Sequence, residues 1–194
     1  MGIDVGIAGA MNSRWGGGNT LVAKSNPANN TGLITSCTLW ANGTCENVEI
    51  AAFTADGNSM TTRGYASLPN LASGANLFNA ADGDFTPLEI RAGDYIGAYC
   101  TASMGLGIDG QINEDGIWRS LGDQIPCSGR TFDVVVPNTP SASIYATGYE
   151  LGLINIGDFW KVIQNIQINV GDVWKQITVG SKVNIGDAWK GIFH

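Results

Sequence analysis

The chain has 194 residues and one histidine, His194. Catalysis by a serine–histidine or cysteine–histidine pair needs an imidazole beside the nucleophile, so neither arrangement has a base here. A Gly-x-x-x-x-Gly-Lys phosphate loop is missing, and no G-x-G-x-x-G run opens a helix as a dinucleotide fingerprint does, which removes two common nucleotide-binding signatures. Basic residues are scarce, with 10 Lys and Arg against 17 Asp and Glu. An acidic chain without a basic stripe argues against nucleic-acid binding. No apolar run approaches the roughly 18 residues of a membrane span. Met1-Gly2-Ile3-Asp4 lacks the basic start and apolar run of a signal peptide. Gly6 stands where a myristoylation signal wants Ser or Thr. The expectation is a protein without a signal peptide that reaches the extracellular space by lysis.

Cysteine is also sparse. Cys37, Cys45, Cys100 and Cys127 allow three complete pairings, and none of their spacings is C-x-x-C, the usual half of a zinc site. If Asn42-Gly43 were a tight two-residue hairpin turn, Trp40 would face Cys45 and Cys37 would face Val48. The sulfurs of Cys37 and Cys45 would then point to opposite faces of the ribbon, and a bridge between them would need a looser loop. Buried free thiols and a bridge both remain open.

Glycine, by contrast, is abundant: 27 residues, about twice the usual ~7%. No G-X-Y period accompanies it, so the chain is not collagenous. Gly-Asp, Asp-Gly and Asn-Gly pairs punctuate short runs rich in β-branched and aromatic residues, and helical periodicity is nearly absent. Strands are predicted near Ile3–Ile7, Thr20–Lys24, Leu33–Trp40, Val48–Thr54, Thr62–Ser67, Thr86–Ile90, Tyr95–Thr101, Phe132–Val136 and Ser143–Tyr149. Polar, Gly-rich loops are predicted at Ser13–Asn19, Ala72–Asp84 and Ser103–Gly116, where binding would sit. The fold class is therefore all-β. Residues 1–20 read as an N-terminal arm or first strand, residues 21–150 as a jelly-roll-like β sandwich, and residues 151–194 as a separate tail. Charge divides the same way: residues 1–150 carry 14 acidic and 6 basic side chains, and residues 151–194 carry 3 and 4.

The tail repeats itself. Ile154-Asn155-Ile156-Gly157-Asp158-Phe159-Trp160-Lys161 is followed by Ile168-Asn169-Val170-Gly171-Asp172-Val173-Trp174-Lys175. Val183-Asn184-Ile185-Gly186-Asp187-Ala188-Trp189-Lys190 comes third, at Trp-to-Trp spacings of 14 and 15 residues. Such a recurrence marks a tandem structural unit. Each Gly-Asp suits a two-residue hairpin turn with Gly at the first central position, where φ is positive. That register sets Asn155 beside Trp160, Asn169 beside Trp174 and Asn184 beside Trp189. Alternation then gathers Ile154, Ile156, Phe159 and Lys161 on one face of the first copy. The predicted tail is three tandem β-hairpin repeats. The residues expected to drive assembly are Ile156, Gly157, Asp158, Trp160, Val170, Gly171, Asp172, Trp174, Ile185, Gly186, Asp187 and Trp189. An isolated hairpin is marginal in water, so its apolar face needs cover from other copies or other chains. A Trp platform for sugar is the functional alternative to packing.

These repeats resemble the I-N-I-G-D-x-W-K arrays at the C-termini of phage and prophage virion proteins. Ser25-Asn26-Pro27-Ala28-Asn29-Asn30-Thr31-Gly32-Leu33-Ile34-Thr35-Ser36 resembles the opening of a β-sandwich domain in the same proteins. Gly93-Asp94-Tyr95-Ile96-Gly97 and Ser120-Leu121-Gly122-Asp123-Gln124-Ile125 resemble later segments of it. The match spans roughly residues 25–194. It implies a structural virion component of fibre, tail-tip or capsid-decoration type, and it brings no catalytic residues. The partners implied are further copies of the chain, with a trimer as the first expectation, other virion proteins, and a host-surface glycan.

Two function classes follow: a non-enzymatic structural virion protein that self-assembles through its repeats, or a carbohydrate-binding module for host attachment. An acid pair could still serve a glycosidase, with Asp109, Glu114 and Asp115 as candidates, but acidic loops are common and no hydrolase is expected. Asp82-Gly83-Asp84 lacks the remaining ligands of a calcium loop and reads as a turn. No metal and no cofactor is expected.

Overall fold

The structure is a computed structural model. It describes residues 2–9, 13–14, 18–101, 107–109, 116–135, 141–150, 153–156, 159–162, 166–170, 173–177, 182–184 and 189–191. The chain is all-β. Among the described residues the only helical element is a single 3-10 turn, Ala80–Asp82. Two compact units separate at the end of the last body strand, Gly2–Tyr149 and Glu150–His194.

The first unit begins with β1 (Gly2–Gly6), β2 (Ser13–Arg14), β3 (Asn19–Ala23), β4 (Gly32–Ala41) and β5 (Val48–Asp56). It continues with β6 (Ser59–Leu68), β7 (Gly74–Asn79), β8 (Leu88–Ile90), β9 (Tyr95–Tyr99) and β10 (Gly107–Asp109). It closes with β11 (Ile117–Leu121), β12 (Arg130–Thr131), β13 (Asp133–Val135), β14 (Ser141–Ala142) and β15 (Ile144–Glu150). One sheet runs β1-β15-β4-β7, with β8 also paired to β4. A larger sheet runs β12-β6-β5-β9-β3-β11-β13, and a small one runs β14-β10-β2.

Strand alternation sorts side chains to the two faces of the larger sheet. Leu21, Ile50, Ala52, Ile96, Ala98 and Ile117 enter a core shared with Ile3, Val5, Ile34, Leu39 and Ile144 of the first sheet. Their neighbours Val22, Ala51, Phe53, Tyr99 and Trp118 enter a second cluster on the opposite face. That outer face is not left to solvent. The segment 122–132 crosses it as a strap, pressing Ile125 and Phe132 into the second cluster. Phe132 meets Phe53 edge-on at 6.0 Å. Both faces of β5 are therefore covered, which explains its apolar run Ile50-Ala51-Ala52-Phe53.

Two motifs singled out in the sequence prove to be fastenings. In Asn26-Pro27-Ala28-Asn29, the side chains reach back to β1. Asn26 Nδ2 donates to the Gly6 carbonyl at 2.9 Å, and Asn29 Oδ1 accepts from the Asp4 amide at 2.9 Å. Asp94 of Gly93-Asp94-Tyr95-Ile96-Gly97 is buried and accepts from the Arg91 amide, the Thr54 hydroxyl and the Arg63 guanidinium. Arg63 can reach it because β6 carries one extra residue there: Ala52 pairs with Gly64 and Phe53 with Thr62. At Gly97 a Cβ would lie 2.7 Å from the Leu21 carbonyl, so the motif's last position admits only glycine.

Three predicted loops are corrected, and the hairpin turn considered at Asn42-Gly43 does not form. The predicted loop Ala72–Asp84 contains β7, paired with β4 from Ser36↔Asn79 to Ala41↔Gly74. Its strand character is hidden because Leu77 faces solvent while Asn76 bonds back to Ala72 and Gly74. The predicted loops Ser13–Asn19 and Ser103–Gly116 contain β2 and β10, which pair with each other. Asn42-Gly43 is no tight hairpin turn: β4 pairs with β15, β7 and β8, whereas β5 pairs with β6 and β9. The chain changes sheet there, and Cys45 forms a bridge with Leu71 instead. Asp82-Gly83-Asp84 is a turn, with Gly83 at φ 83° and Asp84 accepting from the Asn79 amide.

In the second unit, β16 (Leu153–Ile156) pairs antiparallel with β17 (Phe159–Val162), and β18 (Ile166–Val170) with β19 (Val173–Ile177). β20 (Lys182–Asn184) pairs with β21 (Trp189–Gly191).

Candidate functional site

A contacting pair of carboxyls lies where the strap begins. Four contacts fix that point. The Gly122 amide donates to the Gly18 carbonyl at 2.7 Å, and the Thr20 hydroxyl donates to the Gly122 carbonyl at 2.9 Å. The Gln124 amide donates to Thr20 Oγ1 at 3.0 Å, and Asp123 Oδ1 accepts from the Ile125 amide at 2.9 Å. Asp123 is thereby set against Glu49, the one charged residue in Val48–Phe53. Glu49 shares its sheet face with Ala51 and Phe53 and lies opposite Tyr99 in the ladder with β9.

The two carboxyls are in hydrogen-bonding contact. Burial, then the Asp123 charge and the hydrogen bond to it, push the Glu49 carboxyl up to about 7. Like charges this close cannot both ionise freely, so the pair holds a proton in the acid range and a protonated Glu49 donates to Asp123. Glu49 Oε2 is buried without a hydrogen-bond partner. The Tyr99 hydroxyl is held above its ordinary range by burial and by Asp123, Cys100 and Glu49. The pair opens onto a cleft of about 320 Å³, whose rim adds Asn47, Ser67 and Asn70. Amide, hydroxyl and carboxyl groups of this kind can exchange hydrogen bonds with a polyhydroxylated ligand. Carboxyls in direct contact are closer than the roughly 5–5.5 Å of a retaining glycosidase pair and leave no room for a sugar between them. Among the described residues, no three of His, Cys, Asp and Glu gather as metal ligands.

The sequence-predicted assembly residues fall in the second unit. Ile156 pairs with Phe159 and Asn155 with Trp160; Val170 pairs with Val173 and Asn169 with Trp174; Asn184 pairs with Trp189. Gly157, Asp158, Gly171, Asp172, Ile185, Gly186 and Asp187 lie outside the described residues. Asp109 is in β10, and Glu114 and Asp115 lie outside the described residues. Glu49 and Asp123 were not among the sequence candidates. The available signal was a carboxylate within the otherwise apolar run Val48–Phe53.

No family model, curated protein or solved structure matches the chain. Among the described residues no helix is long and apolar enough to cross a membrane.

Proposed function

We propose that the chain is a non-enzymatic structural component of a virion, of fibre, tail or capsid-decoration type, that self-assembles through three tandem hairpin repeats at its carboxy-terminal end. The observation that carries this reading is the common register of the three strand pairs. Each sets the repeat's Asn opposite its Trp: Asn155↔Trp160, Asn169↔Trp174 and Asn184↔Trp189. A unit repeated three times in one register offers its neighbours the same face three times, which is how repeat arrays build a shared core. We read the body as a jelly roll. In support, the chain changes sheet between β3 and β4, β4 and β5, β6 and β7, and β8 and β9. The close contact of Glu49 with Asp123 also favours a non-hydrolytic protein. Sedimentation of the full chain tests the proposal. An oligomer, a trimer first, is expected, and deletion of residues 151–194 is expected to reduce it to a monomer. An oligomer that survives the deletion would remove the repeats from the assembly.

A second reading, host-glycan attachment, draws on the cleft rimmed by Asn47, Ser67 and Asn70. A glycan array probed with the full chain should then show retention that Asn70→Ala lowers at least tenfold. Silence across the array would end this reading.

A further inference from the structure

Two of the four cysteines have settled partners. Cys37 is buried in β4 opposite Phe78. Cys127 anchors the strap: its amide donates to Thr62 Oγ1 at 2.9 Å and its thiol to the Met60 carbonyl at 3.5 Å. Cys45 and Cys100 differ. They are 0% and 1% exposed and belong to one core cluster, and the Cys100 thiol lies near enough to Cys45 to add to the upward push of burial on it. The backbones on both sides are tied. Cys45 exchanges amide–carbonyl bonds with Leu71 at 3.0 and 2.9 Å. The Thr101 amide and hydroxyl both donate to the Glu46 carbonyl at 2.9 Å, and Asn47 Nδ2 donates to Thr101 Oγ1 at 3.1 Å. The Gly18 amide donates to the Cys100 carbonyl at 2.9 Å. Residues 45–47 and 100–101 thus run side by side, which sets the two cysteines next to each other.

We propose that Cys45 and Cys100 are a cross-linking pair that a small-molecule disulfide converts to an intramolecular disulfide, with Cys37 and Cys127 remaining thiols. With oxidised glutathione the chemistry is two exchanges. One cysteine thiolate attacks a glutathione sulfur, forming a mixed disulfide and releasing one glutathione thiolate. The second cysteine, once deprotonated, attacks the protein-bound sulfur of the mixed disulfide. The protein S–S bond forms and the second glutathione leaves. Two protein thiols are oxidised, one glutathione disulfide is reduced, and the two protons end on the released thiols.

Burial sets the kinetics. It pushes the Cys45 thiol up to about 12, with the Cys100 contact adding to it. The attacking species is the thiolate, so the native chain reacts slowly and the bond forms during folding. Once made, the bond is shielded by the same burial. It joins positions 55 residues apart, a long loop whose closure restricts the unfolded chain strongly.

The test refolds the full chain from denaturant in a glutathione redox buffer, beside a control in dithiothreitol. Both are alkylated in denaturant and digested for mass spectrometry. Two alkylated cysteines, Cys37 and Cys127, and a peptide pair joined through Cys45 and Cys100 are expected, against four alkylated cysteines in the control. The oxidised form should melt about 10 °C above the reduced one, and Cys100→Ala should abolish that difference. Four alkylated cysteines after oxidation, or a link through Cys37 or Cys127, overturns the proposal. The peptide map uses the unsubstituted chain, so a variant that fails to fold leaves the outcome decisive.

Discussion

Glu49 shows how one side chain couples the strap to the sheet. Its carboxyl titrates near 7 in the folded chain, against roughly 4.3 in an unfolded one. A raised acid pKa means that the folded state holds the proton more tightly. The associated stability is complete below the unfolded pKa and is lost as pH rises through the folded one. The window is therefore about pH 4.5 to 7, opposite in sign to that of a carboxylate paired with a cation. Once Glu49 is ionised, it faces Asp123 with no proton to share, and the repulsion acts between the sheet and the strap. The melting midpoint of the wild-type chain is expected to fall between pH 5 and pH 8. Glu49→Gln keeps a donor for Asp123 and loses the charge, so its midpoint should fall less and exceed that of the wild type at pH 8. Parallel profiles for the two proteins across thermal melts would show that this pair does not couple strap to sheet.

The sandwich depends at the element scale on how closely β15 approaches β4. A Cβ at Gly148 would sit 1.9 Å from the Leu33 carbonyl oxygen and 2.8 Å from its carbon. Backbone cannot yield by that much without separating the strands. Overpacking of this kind costs roughly 3 kcal/mol or more. Gly148→Ala is thus expected to lower the melting midpoint by about 10 °C or to prevent folding. A midpoint within 2 °C of wild type would mean that β15 does not lie against β4. Elements with dense apolar alternation were legible before the structure: the run predicted at Val48–Thr54 is β5, Val48–Asp56, and the run predicted at Leu33–Trp40 is β4, Gly32–Ala41. Strand β7 was not, because Gly74-Ala75-Asn76-Leu77-Phe78-Asn79 carries no β-branched residue and exposes its leucine. Strand β11 escaped for a related reason, since Arg119 and Ser120 break its apolar run. Glu49 and Asp123 stand 74 positions apart, and only the strap's return over the outer face joins them. No local pattern carries that information.

Whole-molecule behaviour rests on the contrast between the two units. Gly2–Tyr149 has its own cores, with Phe53, Phe132, Leu21, Ile34 and Leu39 almost fully buried. The described residues of 151–194 form short strand pairs, and two-stranded units of that size need further cover to be stable in water. By sequence alternation, each copy gathers about four side chains on one face, mostly apolar, each worth roughly 1.5–3 kcal/mol when an apolar one is fully buried. Association of identical chains offers each copy the same partner face and closes by symmetry. Trp174 belongs to the middle copy, so it has a repeat on either side along the chain. Truncation of a packed Trp costs roughly 3–5 kcal/mol, enough to weaken association by at least about 100-fold. Sedimentation velocity of the full chain at micromolar concentration should show an oligomer, and Trp174→Ala should shift it toward monomer while the β-type circular dichroism persists. The rival arrangement covers the tail within one chain. It predicts a wild-type monomer whose sedimentation Trp174→Ala leaves unchanged, and that result would reject self-assembly through the repeats.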